Sequence, residues 1–285
     1  MTTLRGGVAA ITGAGSGIGR ALAVRMAHAG AAVALADVNA EGLAATARLA
    51  AAHGVHVTEH ATDVSDRAQV ERFARDAESA HGRVTVLVNN AGVGVHGTFA
   101  ELRIEDFEWL LGINYWGVLY GMKAFLPVLL RQPEAHVVNI SSIFGIVAPP
   151  GQSAYASSKF AVRGLTEAVR HEYAGTGLRL SSVHPGGIAT NIVAAARYQD
   201  SVPAATRAVY GRRFAAAART SPDQAAERIV RGVRRNEPRI LVGNDARALD
   251  LLQRLLPGTY WARVKTYYER LFNTSPDGAS GGGAR

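Results

Sequence analysis

Tyr155 and Lys159 stand four positions apart in the segment AYASSKFAV, a spacing that puts both side chains on one face of a helix. A phenol with an unperturbed pKa of about 10 is a poor base near neutrality, and a neighbouring ammonium favours its ionised form. The pair could move a proton to or from an oxygen, although the same spacing also occurs on solvated helix faces. A second constellation lies near the start of the chain, where Gly13, Ser16, Gly17, Ile18 and Gly19 form the run GAGSGIG between an apolar stretch and a helical pattern. A turn without Cβ atoms at a helix N-terminus lets backbone N–H groups approach a diphosphate. The spacing departs from the generic G-x-G-x-x-G pattern, so position between strand and helix carries the reading.

Asp37 closes the next apolar run, 24 positions after Gly13. A carboxylate there can accept hydrogen bonds from adenosine ribose hydroxyls, and it would repel a 2′-phosphate, which favours NAD over NADP. Val38 offers no cation for such a phosphate, while Arg20 nearby leaves room for NADP; Asp37 could instead cap the following helix. Asp63 and Val64 end a third run, where an adenine ring could lie, although Asp63 could equally be a turn residue.

The elements that must hold these groups alternate. Apolar strands are expected at 8–12, 32–36, 55–61, 84–88, 136–140, 180–183 and 239–243, with helices at 18–29, 41–52, 66–81, 104–130, 154–174 and 222–235, the last capped by Ser221. This alternation predicts an α/β fold, a parallel sheet with helices on both faces. Residues 1–243 read as one catalytic domain, in which 188–220 form a helical lid rather than sheet. A helical C-terminal extension follows at 244–273, amphipathic through Leu249, Leu252, Leu255 and Leu256 and then aromatic. The Gly/Ser-rich tail 274–285 is expected to be disordered.

The chain has 285 residues, 48% of them hydrophobic, enough for a full core. It has no cysteine, which excludes disulfides and thiolate chemistry, so redox work would need a bound cofactor. The absence of a leader or an apolar run of membrane-spanning length predicts a cytoplasmic protein. The net charge of +8 is spread through scattered arginines without a basic block or interleaved aromatics, which argues against a nucleic-acid partner. Nine histidines give no close pair on one helix face, so no metal is expected.

TGAGSGIG, NNAG, Asn114, the Ser142 to Tyr155 spacing, YASSK and HPGG, in this order over approximately residues 5 to 243, resemble the short-chain dehydrogenase/reductase family. The resemblance implies a Rossmann-type, doubly wound sheet of seven parallel strands, a homodimer or homotetramer, and NAD or NADP as cofactor. It implies Tyr155 as general acid/base, Lys159 lowering its pKa and holding the nicotinamide ribose, Ser142 (rather than Ser141) binding the substrate oxygen, and Asn114 bending its helix and holding a water that contacts the lysine. Asn90, Ala91 and Gly92 resemble the motif that supports the sheet and contacts cofactor, and Pro185, Gly186, Ile188 and Thr190 the loop that fixes the carboxamide.

The chain departs from the family after its last strand, where many members read roughly V-D-G-G and this one reads RILVGNDARALDLLQRLL. Tetramer geometry is therefore open, and the extension is expected to cover the substrate pocket, pack across a dimer or lie on a membrane surface. Val93, Val95, His96, Ile143, Phe144, Ala148, Pro149, Gln152, Ile192, Val193 and Tyr198 flank the strand ends and are expected to line the pocket. That lining favours a hydrophobic secondary alcohol or ketone. His96 is either a substrate contact or a solvent-facing loop residue. The sequence leaves two other functions open: an NAD-assisted epimerase or dehydratase, and a cofactor-sensing regulatory protein without turnover.

Overall fold

The computed structural model describes residues 1–272, and the tail expected to be disordered lies outside the described residues. Seven parallel strands form the central sheet: β1 Val8–Thr12, β2 Ala32–Asp37, β3 Val57–Ala61, β4 Val86–Asn89, β6 Ala135–Ile140, β7 Leu178–Pro185 and β9 Arg239–Val242, in the order β3-β2-β1-β4-β6-β7-β9. β5 Val95–His96 and β8 Arg197–Tyr198 make a separate two-stranded parallel pair.

Both faces of the sheet are covered, which is why its strands read as continuous apolar runs. Ala9 and Ile11 of β1 point to one side, onto α1 Gly17–His28 through Leu22 and Met26 and onto α8 Pro222–Arg234 through Ile229 and Val233. Val8 and Ala10 point to the other, where Phe73 of α3 Arg67–His81 and Phe125 of α5 Gly117–Leu130 meet edge to face at 5.2 Å. Helix α2 Ala40–Ala51 completes the first layer. Polar caps set the starts. Asp66 accepts from the backbone N–H groups of Ala68 and Gln69, and Ser221 forms a reciprocal capping box with Gln224.

The order of the sheet reverses between β1 and β4, and a crevice opens outside their carboxyl ends. Three local features differ from the sequence expectation. The helix expected over 104–130 is α4 Ile104–Leu111 and α5, joined by a π-helical turn at Gly112–Trp116. The Asn114 side chain in that turn bonds the backbone of Val93, so the extra residue is held by a tertiary contact. The lid is not wholly helical, because β8 docks on β5 before α7 Ala204–Ala217 begins. The extension is two helices, α9 Asn244–Leu255 and α10 Tyr260–Phe272, separated at Pro257 and Gly258.

Candidate active site

The chain leaves β1 through Gly13, at φ 63°, and enters α1 at Gly17, at φ 52°, both in the left-handed region that glycine adopts without cost. A Cβ on Gly19 would run into the Gly13 carbonyl oxygen, so the turn folds tightly on itself. Ser16 precedes α1 in an extended conformation and makes no side-chain cap. The opening N–H groups of the helix therefore have no side-chain partner there, and Gly13, Ser16, Gly17 and Ile18 line the crevice. Gly19 packs beneath the turn instead of lining it. Thr12, not singled out in the sequence, binds the turn to β4: its Oγ accepts from the N–H groups of Asn90 (3.0 Å) and Ala91 (3.2 Å). The Asn90 amide in turn donates to the carbonyls of Thr12 and Gly13.

Asp37 ends β2 with its carboxylate on the crevice, where Oδ2 accepts from Gly15 N at 2.7 Å and Oδ1 from Asn39 N at 2.9 Å. Helix α2 is capped by Asn39, whose side chain accepts from Gly42 N, and not by Asp37. Arg20 is turned away, bonding Thr46 Oγ1 at 2.9 Å and the carbonyls of Gly15 and Gly42. Asp63 makes a turn with Ser65 and, with Val64, also lines the crevice.

Tyr155 and Lys159 project from the first turns of α6 Ser153–Glu172. Lys159 is buried, its Nζ donating to the Ile140 carbonyl at 3.0 Å and lying 5.6 Å from the centroid of the Tyr155 ring. Burial pushes the ammonium down to about 8. Desolvation also pushes the Tyr155 phenol up to about 12, opposed by a hydrogen bond with the Ser142 hydroxyl. The lowering of the phenol expected from Lys159 is not what sets it here: loss of water raises it, and the hydroxyl that opposes the rise is that of Ser142. Ser142 Oγ accepts from Phe144 N at 3.1 Å, whereas the Ser141 hydroxyl donates to the Lys159 carbonyl at 2.8 Å. Ser142 is thus the serine whose hydroxyl faces Tyr155.

Asn114 is fully buried outside the cavity lining. Its Oδ1 accepts from Val93 N at 2.8 Å, and its amide donates to Val93 O at 3.0 Å and Ser158 Oγ at 3.2 Å. A side chain on Gly92 would come within 3.3 Å of Asn114 Oδ1 and 3.4 Å of Lys159 Nζ, so the missing Cβ keeps these groups close.

Asp37, Ser142, Tyr155 and Lys159 line one cavity of about 600 Å³ that runs from Asp37 past the glycine turn to Tyr155, with Asn90, Ala91, Gly92, Pro185, Gly186, Ile188 and Thr190 along it. Beyond Tyr155 its wall includes Val93, His96, Ile143, Phe144, Pro149, Gln152, Ile192 and Val193. Val95, Ala148 and Tyr198 were expected in this wall and stand outside it. Val95 is buried against Leu102, Leu110 and Ala154, Ala148 N donates to Tyr260 Oη, and Tyr198 stacks behind His96 at 5.1 Å and donates to Val193 O. His96 is no solvent-facing loop residue: it lies on β5, takes a hydrogen bond from the Gln152 amide at 2.5 Å, and is pushed down to about 4 by burial.

Sequence reasoning names no far-wall residue among the pocket lining, although covering the pocket is one of the three places it expects for the extension. Phe214 of α7, Leu249 of α9 and Tyr260, Trp261, Val264 and Tyr268 of α10 form that wall. Tyr260 Oη accepts from Ala148 N at 3.0 Å and Tyr268 Oη donates to Pro150 O at 3.1 Å, which seats the extension on the loop before α6. Asp245, at the start of α9, accepts from Gly187 N at 2.7 Å, and a Cβ on Gly186 would run into its carboxylate. Among the described residues no helix is long and apolar enough to cross a membrane.

Comparison with known proteins agrees with this geometry. Residues 7–201 match the family model described as short chain dehydrogenase. SadH of Mycobacterium tuberculosis, an oxidoreductase by name, is 43% identical over 276 residues, spanning 95% of this chain and 99% of that protein. A short-chain dehydrogenase/reductase of Burkholderia phymatum, solved in complex with NAD, is 34% identical and superposes with a TM-score of 0.83 over 90% of this chain and 96% of that one. An alcohol dehydrogenase of the archaeon Thermococcus sibiricus, complexed with 5-hydroxy-NADP, is 28% identical with a TM-score of 0.70, covering 83% of this chain and 95% of its own. On its fold, its motifs and these matches, the chain belongs to the short-chain dehydrogenase/reductase family of oxidoreductases.

Proposed function

We propose that this protein transfers a hydride between NAD(H) and a hydrophobic secondary alcohol or ketone. The observation that carries the reading is the convergence of the hydrogen-bonded Ser142 and Tyr155 hydroxyls and the buried Lys159 on a cavity that continues to the Asp37 carboxylate. The residues fit a dinucleotide. The glycine turn puts the backbone of Gly13 and Gly17 on the cavity with no side chain in front of it, and the uncapped N-terminus of α1 suits a diphosphate. Asp37 and the exposed Val38 suit ribose hydroxyls over a 2′-phosphate, and Arg20 spends its Nε and Nη2 donors on the turn and α2.

When bound, the nicotinamide supplies or accepts the hydride. Tyr155 gives a proton to the carbonyl oxygen in reduction and takes it from the alcohol in oxidation. Ser142 donates a hydrogen bond to the same oxygen and so stabilises the charge developing there. The Lys159 ammonium favours the phenolate that oxidation requires, and Asn114 fixes the Val93 backbone and Ser158 beside it. The apolar walls exclude water and favour an apolar substrate body. Mixing the protein with NAD or NADP and a panel of secondary alcohols, with Tyr155→Phe alongside, tests the reading. Turnover with NAD that the substitution abolishes is expected; turnover that survives it refutes the mechanism, and an NADP preference refutes the role given to Asp37.

A further inference from the structure

His184 is completely buried on β7, one residue before the Pro185 that opens the loop along the cavity. Both ring nitrogens are engaged, Nδ1 lying 2.9 Å from the Ser142 carbonyl oxygen and Nε2 3.0 Å from the Ser182 hydroxyl. A carbonyl oxygen only accepts, so Nδ1 carries the proton and Nε2 accepts from Ser182. Burial pushes the imidazole down to about 4, which keeps this neutral tautomer at ordinary pH. The same serine is held from its other side, where Phe144 N donates to the Ser142 hydroxyl oxygen at 3.1 Å. One ring therefore joins the residue that faces Tyr155 to the strand that launches the Pro185–Thr190 loop.

We propose that His184 is a positioning residue for the reaction, holding the Ser142 hydroxyl in register with Tyr155 and with the loop after β7 through its bond to the Ser142 carbonyl. This rests on the reading of Ser142 as the group that binds the substrate oxygen. The contribution is geometric, since reacting groups misplaced by about 1 Å lose on the order of a hundredfold in rate.

The two amide substitutions separate this role from simple filling of space. His184→Asn keeps an N–H near the place of Nδ1, whereas His184→Gln keeps one near Nε2 and loses the bond to Ser142. His184→Asn is paired with Ser182→Ala so that no hydroxyl is left without an acceptor. Expected is a kcat for His184→Asn/Ser182→Ala within about threefold of the unsubstituted protein, and a kcat for His184→Gln lowered roughly tenfold to a hundredfold, with KM and NAD affinity little changed. In a Ser142→Ala background His184→Gln should cost less than about twofold more. Equal losses in both backgrounds, or equal impairment by both amides, overturn the inference while leaving the role of Ser142 intact. Unchanged activity in Ser142→Ala alone overturns that role and the inference with it. Nitrogen-15 NMR of the unsubstituted protein gives a check that needs no variant: a proton on Nδ1 of His184 is expected, and one on Nε2 refutes the proposal.

Discussion

Asp37 grips the glycine turn, its Oδ2 accepting the Gly15 N–H at 2.7 Å. The carboxylate proposed to read the ribose also shapes the loop proposed to carry the diphosphate, and a Cβ on Gly15 would lie 2.9 Å from the carboxylate carbon. Replacing Asp37 by Ser should weaken NAD binding by about tenfold to a hundredfold, the range for hydrogen bonds to a charged group. Adding Val38→Arg should improve NADP binding at the same time. Calorimetric titration of both cofactors checks this, and unchanged NAD affinity in Asp37→Ser would remove the assignment.

Tyr155→Phe should lower kcat by roughly a hundredfold to ten-thousandfold in both directions. The phenol lies well above neutrality, pushed up to about 12, so it is protonated and ready to act as an acid at pH 7. Alcohol oxidation needs the ionised form, and its rate should climb as pH rises from 6 to 9. Ketone reduction should stay level or fall over that interval. Paired pH profiles in the two directions decide the matter, and parallel profiles would contradict it.

The α/β alternation, the glycine turn, Asp37 and the Tyr155/Lys159 pair were legible in the sequence because each is a local pattern: a strand run, a missing Cβ, a helical spacing. What escaped depends on contacts between distant segments. The π-helical turn at Gly112–Trp116 is foreshadowed only by the family resemblance, which implies that Asn114 bends its helix; the contact between Asn114 and the Val93 backbone leaves no propensity signal. The two-residue pair of β5 and β8 is too short to leave a periodicity. His184, Asp245 and the α10 aromatics belong to the site through partners 42, 58 and more than a hundred residues away. For the aromatics one signal was present, a cluster of large apolar rings beyond the last strand that no sheet required.

Trp261→Ala and Tyr268→Ala should raise KM for bulky apolar alcohols severalfold, through loss of about 1 kcal/mol of apolar contact with the substrate each. Binding of NAD should stay within about twofold, since both side chains lie beyond Tyr155 from the glycine turn. Kinetics with a small and a large alcohol series separate the two effects, and an equal rise in both series would place these residues elsewhere in the cycle.

His184 also makes stability depend on pH. Its folded pKa, near 4, lies below the unfolded value of about 6.5, so between these limits the unfolded chain binds more protons and stability falls as pH falls. From pH 7 to pH 5 the loss should be about 2 kcal/mol from this residue. Urea midpoints at the two pH values, for the unsubstituted protein and His184→Asn/Ser182→Ala, measure it. A pH dependence undiminished in the variant would assign the effect to other groups.

The far wall of the cavity is drawn from Phe214, Leu249, Tyr260, Trp261, Val264 and Tyr268, all later in the chain than the loop that ends at Thr190. The far wall is therefore encoded apart from the near wall of Val93 to Gln152, and it meets the loop proposed to fix the cofactor through Asp245. If the proposed reaction holds, a mutagenic library confined to Phe214, Leu249, Trp261 and Val264 should alter substrate choice while leaving Ser142, Tyr155 and Lys159 untouched.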